Sequence, residues 1–394
     1  MSAHPATVRA TPSAAPTAHI ALLGTGTVGR AVLARLGGWQ RTGAAHGLSL
    51  QHVANSRVAI EDPYGLDAAR VAGWIGPALP DAGGDSPARL VPMLRVPEVR
   101  ASDLEQVSAA LRGRNARIVI DATASEEVAD RHARWLAQGV HVVTACKLGQ
   151  GGPLARWQAI RTAWARSGAR YGDSATVGAG LPLLRTLRGL QAGGDCIHAV
   201  AGVLSGSLGW LFSEYDGLRP FSRFVREARE AGYTEPDPRD DLSGEDVRRK
   251  LLILARSLGI ALDAGDVQVE SLVPDTLARV APHEVDGSLE ALDAPMRTRF
   301  AAAYRNGAKL RFVGRLDLSG PRVRATVGLE SLPADDALAA GGGADNRVAI
   351  TCDRYAERPL VIQGAGAGAG VTAAALLDDA LRIARGGVGL TTVQ

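Results

Sequence analysis

Apolar and polar positions alternate in two different ways along this chain of 394 residues. Toward the amino end, short apolar runs are separated by helical patterns. The run at 20–23 leads into Gly24, Gly26 and Gly29 and then helix formers, and LSLQHVA (48–54) is a second strand candidate. RIVIDAT (117–123) and HVVTACK (141–147) flank the helical stretch SEEVADRHARWLAQG. Strands alternating with helices predict an α/β fold with a doubly wound parallel sheet, whose ligands bind outside the carboxyl ends of the strands. Thr123 and Lys147 fall at such ends. Further on, Ser243 followed by Asp246 has the form of a capping box and predicts a helix over 243–257. In that helix Val247, Leu251, Leu254 and Leu258 form one stripe, Arg248, Arg249 and Arg256 fall on the far side, and Asp246 and Lys250 sit at the stripe's edge. LRFVGRLDL (310–318) and RVRATVGLESL (322–332) alternate in places and read as strands of a second, α+β domain with an open sheet, and a last helix covers 372–385.

Gly24, Gly26 and Gly29 stand in G-x-G-x-x-G order between a strand and a helix, the context that makes the motif informative. Glycines there let a turn close and let backbone N–H groups, including those of Thr27 and Val28, approach a pyrophosphate at the helix's positive end. The second strand ends in Asn55, Ser56 and Arg57 rather than in an acid. An acid would hold the ribose hydroxyl of NAD, whereas Arg57 suits the extra phosphate of NADP; a solvated loop charge explains Arg57 nearly as well.

Net charge is only +3, and no basic run is interleaved with aromatics, so nucleic acid has no support as a partner. No apolar stretch approaches the ~18 to 20 residues that cross a bilayer. Cys146, Cys196 and Cys352 are odd in number and widely spaced, which points to free thiols in a reducing cytoplasm. Histidines show no metal-ligand spacing. Residues 1–18 read as a disordered tail and 73–92 as a surface loop, both rich in Pro, Ala or Gly.

Residues 232–250, GYTEPDPRDDLSGEDVRRK, place six carboxylates just ahead of Lys250, in a chain with only three lysines among 44 basic residues. The two prolines predict a stiff loop presenting Glu235, Asp237, Asp240 and Asp241. Such acids often serve only to complement a helix dipole. Lysine differs from arginine in that its pKa can fall from ~10.4 toward ~7 to 8 by desolvation or a nearby cation, which allows it to exchange a proton with a developing alkoxide. Lys147, if close, acts in that direction, and the carboxylates act against it. As a loop lysine, Lys147 has no such role.

The stretch AREAGYTEPDPRDDLSGEDVRRK (228–250) resembles the signature of homoserine dehydrogenases along its whole length. GTGTVG, VANSR, DAT, VVTACK, ATVGAGLP, LSGSL and GAGAGAGVTAA are similar to the same family, leaving only the tail and residues 73–92 outside. The resemblance implies reversible NAD(P)H-dependent reduction of L-aspartate 4-semialdehyde to L-homoserine, a step toward threonine, methionine and isoleucine. It makes Lys250 the acid/base group with Asp246 beside it, Glu235, Asp241, Asp246 and Tyr233 substrate-binding, and Lys147 a second active-site lysine between cofactor and substrate. It also implies a monovalent cation such as sodium on the backbone carbonyls of Ser174, Val177, Ala179 and Leu181, although a hinge or tight turn reads that segment equally well. Gly368 would approach the nicotinamide, or simply belong to a flexible loop. Ala145 and Cys146 stand where relatives commonly carry Pro-Asn, and Ser174 where many carry Glu. A homodimer is implied too, with a dinucleotide-binding domain at 19–172, a substrate and dimerisation domain at 173–370, and a returning helix at 371–394. Neither an aspartate kinase module nor a regulatory domain is seen, so feedback by threonine through one is not expected. Two other classes remain: a dehydrogenase of another small amino-acid aldehyde or ketone, and a non-catalytic dinucleotide-binding sensor, which would need neither Lys250 nor Glu235.

Overall fold

A computed structural model describes residues 17–44, 46–74 and 97–386. Most of the expected tail and residues 75–92 of the expected loop lie outside the described residues, while Gly73 and Trp74 end a helix, Ala68–Trp74. The chain divides into two compact units. Among the described residues, one holds those up to Cys146, Ile160–Asp173 and 372–386; the other holds Lys147–Ala159 and Ser174–Val371. Lys147–Ala159, expected within the dinucleotide-binding domain, thus group with the second unit.

The first unit is built on a seven-stranded sheet of β1 (Ala18–Leu23), β2 (Leu48–Ala54), β3 (Val58–Glu61), β4 (Glu98–Ala101), β5 (Ala116–Asp121), β6 (His141–Thr144) and β7 (Tyr171–Gly172). Its order is β4-β3-β2-β1-β5-β6-β7. The run from β2 through β7 is parallel, as the alternation of strands and helices predicts, and all six residues of β1 are buried because both faces are covered. β3 and β4 add to the edge antiparallel, which the sequence pattern did not indicate. The helix Glu126–Ala137 starts at Ser125, whose hydroxyl accepts from the Val128 N–H. It carries His132 inward, where Nε2 meets Asp121 Oδ2 and Nδ1 meets the Tyr171 hydroxyl, each at 3.0 Å.

The second unit contains an open six-stranded sheet of β8 (Ile197–Val203), β9 (Val267–Val269), β10 (Lys309–Asp317), β11 (Arg324–Leu332), β12 (Asp345–Cys352) and β13 (Leu360–Ala365). The order is β13-β12-β8-β10-β11-β9, antiparallel except where β9 joins β11. Leu251, Leu254 and Leu242 pack with Phe312, Leu316 and Val348 in the larger core, so the helix Glu245–Ser257 lies on one face of this sheet. No disulfide forms: Cys146 and Cys352 are buried free thiols and Cys196 is exposed. Among the described residues no helix is long and apolar enough to cross a membrane, and no group of His, Cys, Asp or Glu is arranged to hold a metal ion.

Candidate active site

The helix Glu245–Ser257 places Asp246 and Lys250 one turn apart on one face, and Lys250 is 7% exposed. Its Nζ donates to the carbonyl of Leu204, just past β8, at 2.6 Å and to Asp246 Oδ2 at 2.8 Å. Lys147 Nζ reaches the other oxygen of the same carboxylate at 3.1 Å. One carboxylate therefore holds two ammonium groups. An ammonium has three N–H donors, so Lys250 keeps one with no partner among the described residues.

Burial pushes the pKa of Lys250 down; the charge of Asp246 opposes this and the ammonium of Lys147 adds to it. For Asp246 burial acts upward, but Lys250 and Lys147 outweigh it and hold the carboxyl well below the usual carboxylate range. A lysine so placed can exchange its proton, while Asp246 stays an anion that anchors both lysines.

Lys147 is brought here by a wound segment. It precedes the short helix Leu148–Gly151, which presses on the helix Glu245–Ser257 so closely that a Cβ on Gly151 would lie 2.5 Å from Arg249 Cγ. Gly151 is a positioning element that sequence reading missed, since nothing local marks it.

The segment 232–257 differs from expectation in three respects. EPDPRDDL is not a loop throughout: Pro238–Leu242 form a helical turn with Pro238 at its first position, where a missing N–H costs nothing, and Asp237 as its cap. The capping box of Ser243 and Asp246 does not form, because Gly244 starts the next helix in a left-handed conformation (φ 78°) and Asp246 is engaged by the lysines. Arg256 is not on a solvated face but 2% exposed, with its guanidinium spent on backbone carbonyls.

Asp241 is half-buried; its Oδ1 accepts from Ser207 Oγ at 2.7 Å and its Oδ2 from the N–H of Glu235 at 2.8 Å. Burial raises its pKa and those two bonds counter the rise. Ser207 is in turn 2.9 Å from Ser205, whose hydroxyl caps the helix Gly206–Glu214. The LSGSL segment is thus wired to the acidic stretch through side chains whose partners are remote in sequence. Glu235 itself is exposed, and Tyr233, 44% exposed, stacks on Trp210 at 5.2 Å.

In the first unit the glycine turn joins β1 to the helix Thr27–Arg41. Gly24 (φ 95°) lies against the end of β5, where a Cβ would be 2.7 Å from the carbonyl oxygen of Ala122, and a Cβ on Gly29 would be 1.9 Å from the carbonyl oxygen of Gly24. Gly26 meets nothing within 4 Å and caps the helix without any side-chain bond, while Thr27 is exposed and Val28 partly so. Internal packing explains two of the glycines, and Gly26 is left as open backbone at a helix N-terminus, which fits a dinucleotide pyrophosphate. Thr123, at the end of β5, binds Asp121 Oδ1 through both its N–H and its hydroxyl. Arg57 is exposed in the β2–β3 turn, which Asn55 fixes by accepting from the Arg57 and Val58 N–H groups. Gly368 is exposed at φ 127°, just ahead of the helix Ala369–Ala384. Ser174, Val177 and Ala179 are buried, Leu181 is partly so, and Gly178 (φ 74°) and Ala179 (φ 51°) are successive left-handed residues.

Comparison with known proteins decides the family. Sequence models described as "Homoserine dehydrogenase, NAD binding domain" and "Homoserine dehydrogenase" match residues 24–172 and 182–381. The chain belongs to the homoserine dehydrogenase family. It is 44% identical over 269 residues to bifunctional aspartokinase/homoserine dehydrogenase 2, chloroplastic, of Zea mays, which covers 68% of this chain and 29% of that protein. The chain therefore spans under a third of that bifunctional relative. Homoserine dehydrogenase of Emericella nidulans is 38% identical over 278 residues, covering 68% of this chain and 75% of its own length. A crystal structure of a Candida auris protein of unknown function superposes with a TM-score of 0.80 at 31% identity, covering 93% of this chain and 98% of the other. In family terms residues 24–172 are the NAD binding domain, and neither the sensor nor a dehydrogenase of another class is favoured.

Proposed function

We propose that the chain catalyses the reversible reduction of L-aspartate 4-semialdehyde to L-homoserine with a nicotinamide dinucleotide. The observation that carries this reading is the buried Lys250 Nζ, held by the Leu204 carbonyl and Asp246 with one N–H to spare. A bound reduced dinucleotide supplies the hydride. Gly24, Gly26, Thr27, Val28, Gly29 and Thr123 would hold it, with Gly368 and Lys147 toward the nicotinamide.

Lys250 gives its spare proton to the aldehyde oxygen as the carbon gains hydride, leaving a C–O–H group and a neutral amine. In the reverse direction the neutral amine takes the hydroxyl proton. Desolvation supports this role, because it brings an ammonium toward the range in which it can yield a proton. Asp246 orients Lys250 and Lys147. Glu235 and Asp241 accept the substrate's ammonium, with Tyr233 alongside; Asp241 also orders the backbone of Glu235.

The exposed Arg57 supports a preference for NADP over NAD. The buried, strained turn at Gly178 and Ala179 supports a monovalent cation such as sodium on the carbonyls of Ser174, Val177, Ala179 and Leu181, and no step passes through it. A cytoplasmic homodimer acting in threonine, methionine and isoleucine biosynthesis completes the reading. Oxidation of NADPH and NADH by the purified chain with L-aspartate 4-semialdehyde, with and without sodium, tests it. Turnover with the semialdehyde and none with glyceraldehyde is expected, and no turnover with either cofactor would refute it.

A further inference from the structure

The buried Arg256 has no role in the chemistry above, yet its guanidinium makes four hydrogen bonds, all to backbone carbonyls. Its Nη1 donates to the carbonyls of Gln150 (2.5 Å) and Gly152 (2.7 Å), and its Nε and Nη2 to that of Leu262 (3.1 and 2.9 Å). It forms no ion pair among the described residues; burial pushes its pKa down, and the charge of Asp263 opposes this only in part. An apolar side chain of similar volume would avoid that desolvation. What it could not do is donate to the carbonyls of Gln150 and Gly152 at the end of the short helix Leu148–Gly151. The same segment is tightly wound: Arg156 donates to the Leu148 carbonyl at 2.9 Å, and a Cβ on Gly152 would meet that oxygen at 2.4 Å.

We infer that Arg256 is a positioning residue for proton transfer: it clamps residues 148–152 onto the helix Glu245–Ser257 and so keeps Lys147 on Asp246, beside Lys250. The inference rests on the proposed role of Lys250 and deepens it. Lys250 is faced by Asp246 from its own helix, by Lys147 ahead of the short helix, by Asp241 from the turn Pro238–Leu242 and by the Leu204 carbonyl. Of the charged groups, only Lys147 disfavours the ammonium form. Releasing Lys147 removes that repulsion and leaves Asp246 wholly to Lys250, and both changes raise the pKa of Lys250. L-homoserine oxidation needs the neutral amine, so the rising limb of its kcat/KM against pH moves upward, by about 0.5 to 1.5 pH units for two charges sharing one carboxylate.

The experiment compares Arg256→Gln, Arg256→Lys and Lys147→Met with the parent chain. It reads the pH profile of homoserine oxidation, dinucleotide affinity by fluorescence titration, and thermal unfolding. Arg256→Gln and Lys147→Met should move the limb upward by similar amounts, Arg256→Lys by less, and the Arg256→Gln/Lys147→Met double variant no further than Lys147→Met. Arg256→Gln should change dinucleotide affinity no more than Lys147→Met does. A folded Arg256→Gln chain with lowered turnover and its limb at the parent pH would reduce Arg256 to a structural role and overturn the inference. Should Arg256→Gln not fold, an unmoved limb in Lys147→Met overturns it equally. A Lys250→Met chain that keeps both turnover and limb would instead refute the role of Lys250, an outcome distinct from the others.

Discussion

Asp246→Asn removes the charge that two lysines share and changes almost nothing in shape. Lys250 Nζ lies 2.8 Å from the carboxylate, whose side chain is 40% exposed, so the attraction is screened toward the value in water. Coulomb's law at that distance, with an effective dielectric constant of about 40 to 80, puts it at about 1.5 to 3 kcal/mol, or about 1 to 2 pH units in the pKa of Lys250. Losing it lowers that pKa, because desolvation and Lys147 then act unopposed by Asp246. Reduction of the semialdehyde requires the ammonium. The alkaline fall of its kcat/KM should therefore begin about 1 to 2 pH units lower than in the parent chain. Initial-rate assays of NADPH oxidation across the pH range, with dinucleotide saturating, measure this. A limb that stays in place, or moves upward, would show that Asp246 does not govern the proton of Lys250.

Gly26→Ala and Gly29→Ala should separate cofactor contact from packing. The first meets no atom of the fold within 4 Å and should leave thermal stability unchanged while weakening dinucleotide binding by about tenfold, whereas the second clashes with the Gly24 carbonyl and should destabilise by about 1 to 3 kcal/mol. Arg57→Ser should lower kcat/KM for NADPH by about tenfold or more and spare NADH, measured with both cofactors at one pH. His141 accepts the Arg170 N–H, and burial, with Arg170 and Arg117 adding to it, lowers its pKa from 6.5 to about 4. The unfolded chain takes up that proton first as pH falls through this window, so stability is lost between pH 6.5 and about 4. His141→Gln should flatten that slope in urea titrations.

Much of the first unit was legible because its signals are local. Apolar runs, the spacing of three glycines and the helical stretch after Ala124 each involve neighbours in sequence, and β1, β2, β5 and β6 lie where the pattern places them. Lys250 was also visible, as a polar residue at the edge of an apolar stripe. Features that depend on remote partners were not. The inward turn of Arg256 requires the carbonyls of Gln150, Gly152 and Leu262, and the failure of the Ser243 box follows from lysines that draw Asp246 away. The antiparallel edge of β3 and β4 and the close approach of Gly151 belong to the same class.

The most direct measurement is turnover of Lys250→Met with L-aspartate 4-semialdehyde and NADPH, beside the dinucleotide affinity of the same protein. Loss of a positioned proton donor predicts a fall in kcat of about 10² to 10⁴-fold with dinucleotide affinity unchanged. A variant that still turns over within about tenfold of the parent, a difference of only ~1.4 kcal/mol in barrier, would contradict the account.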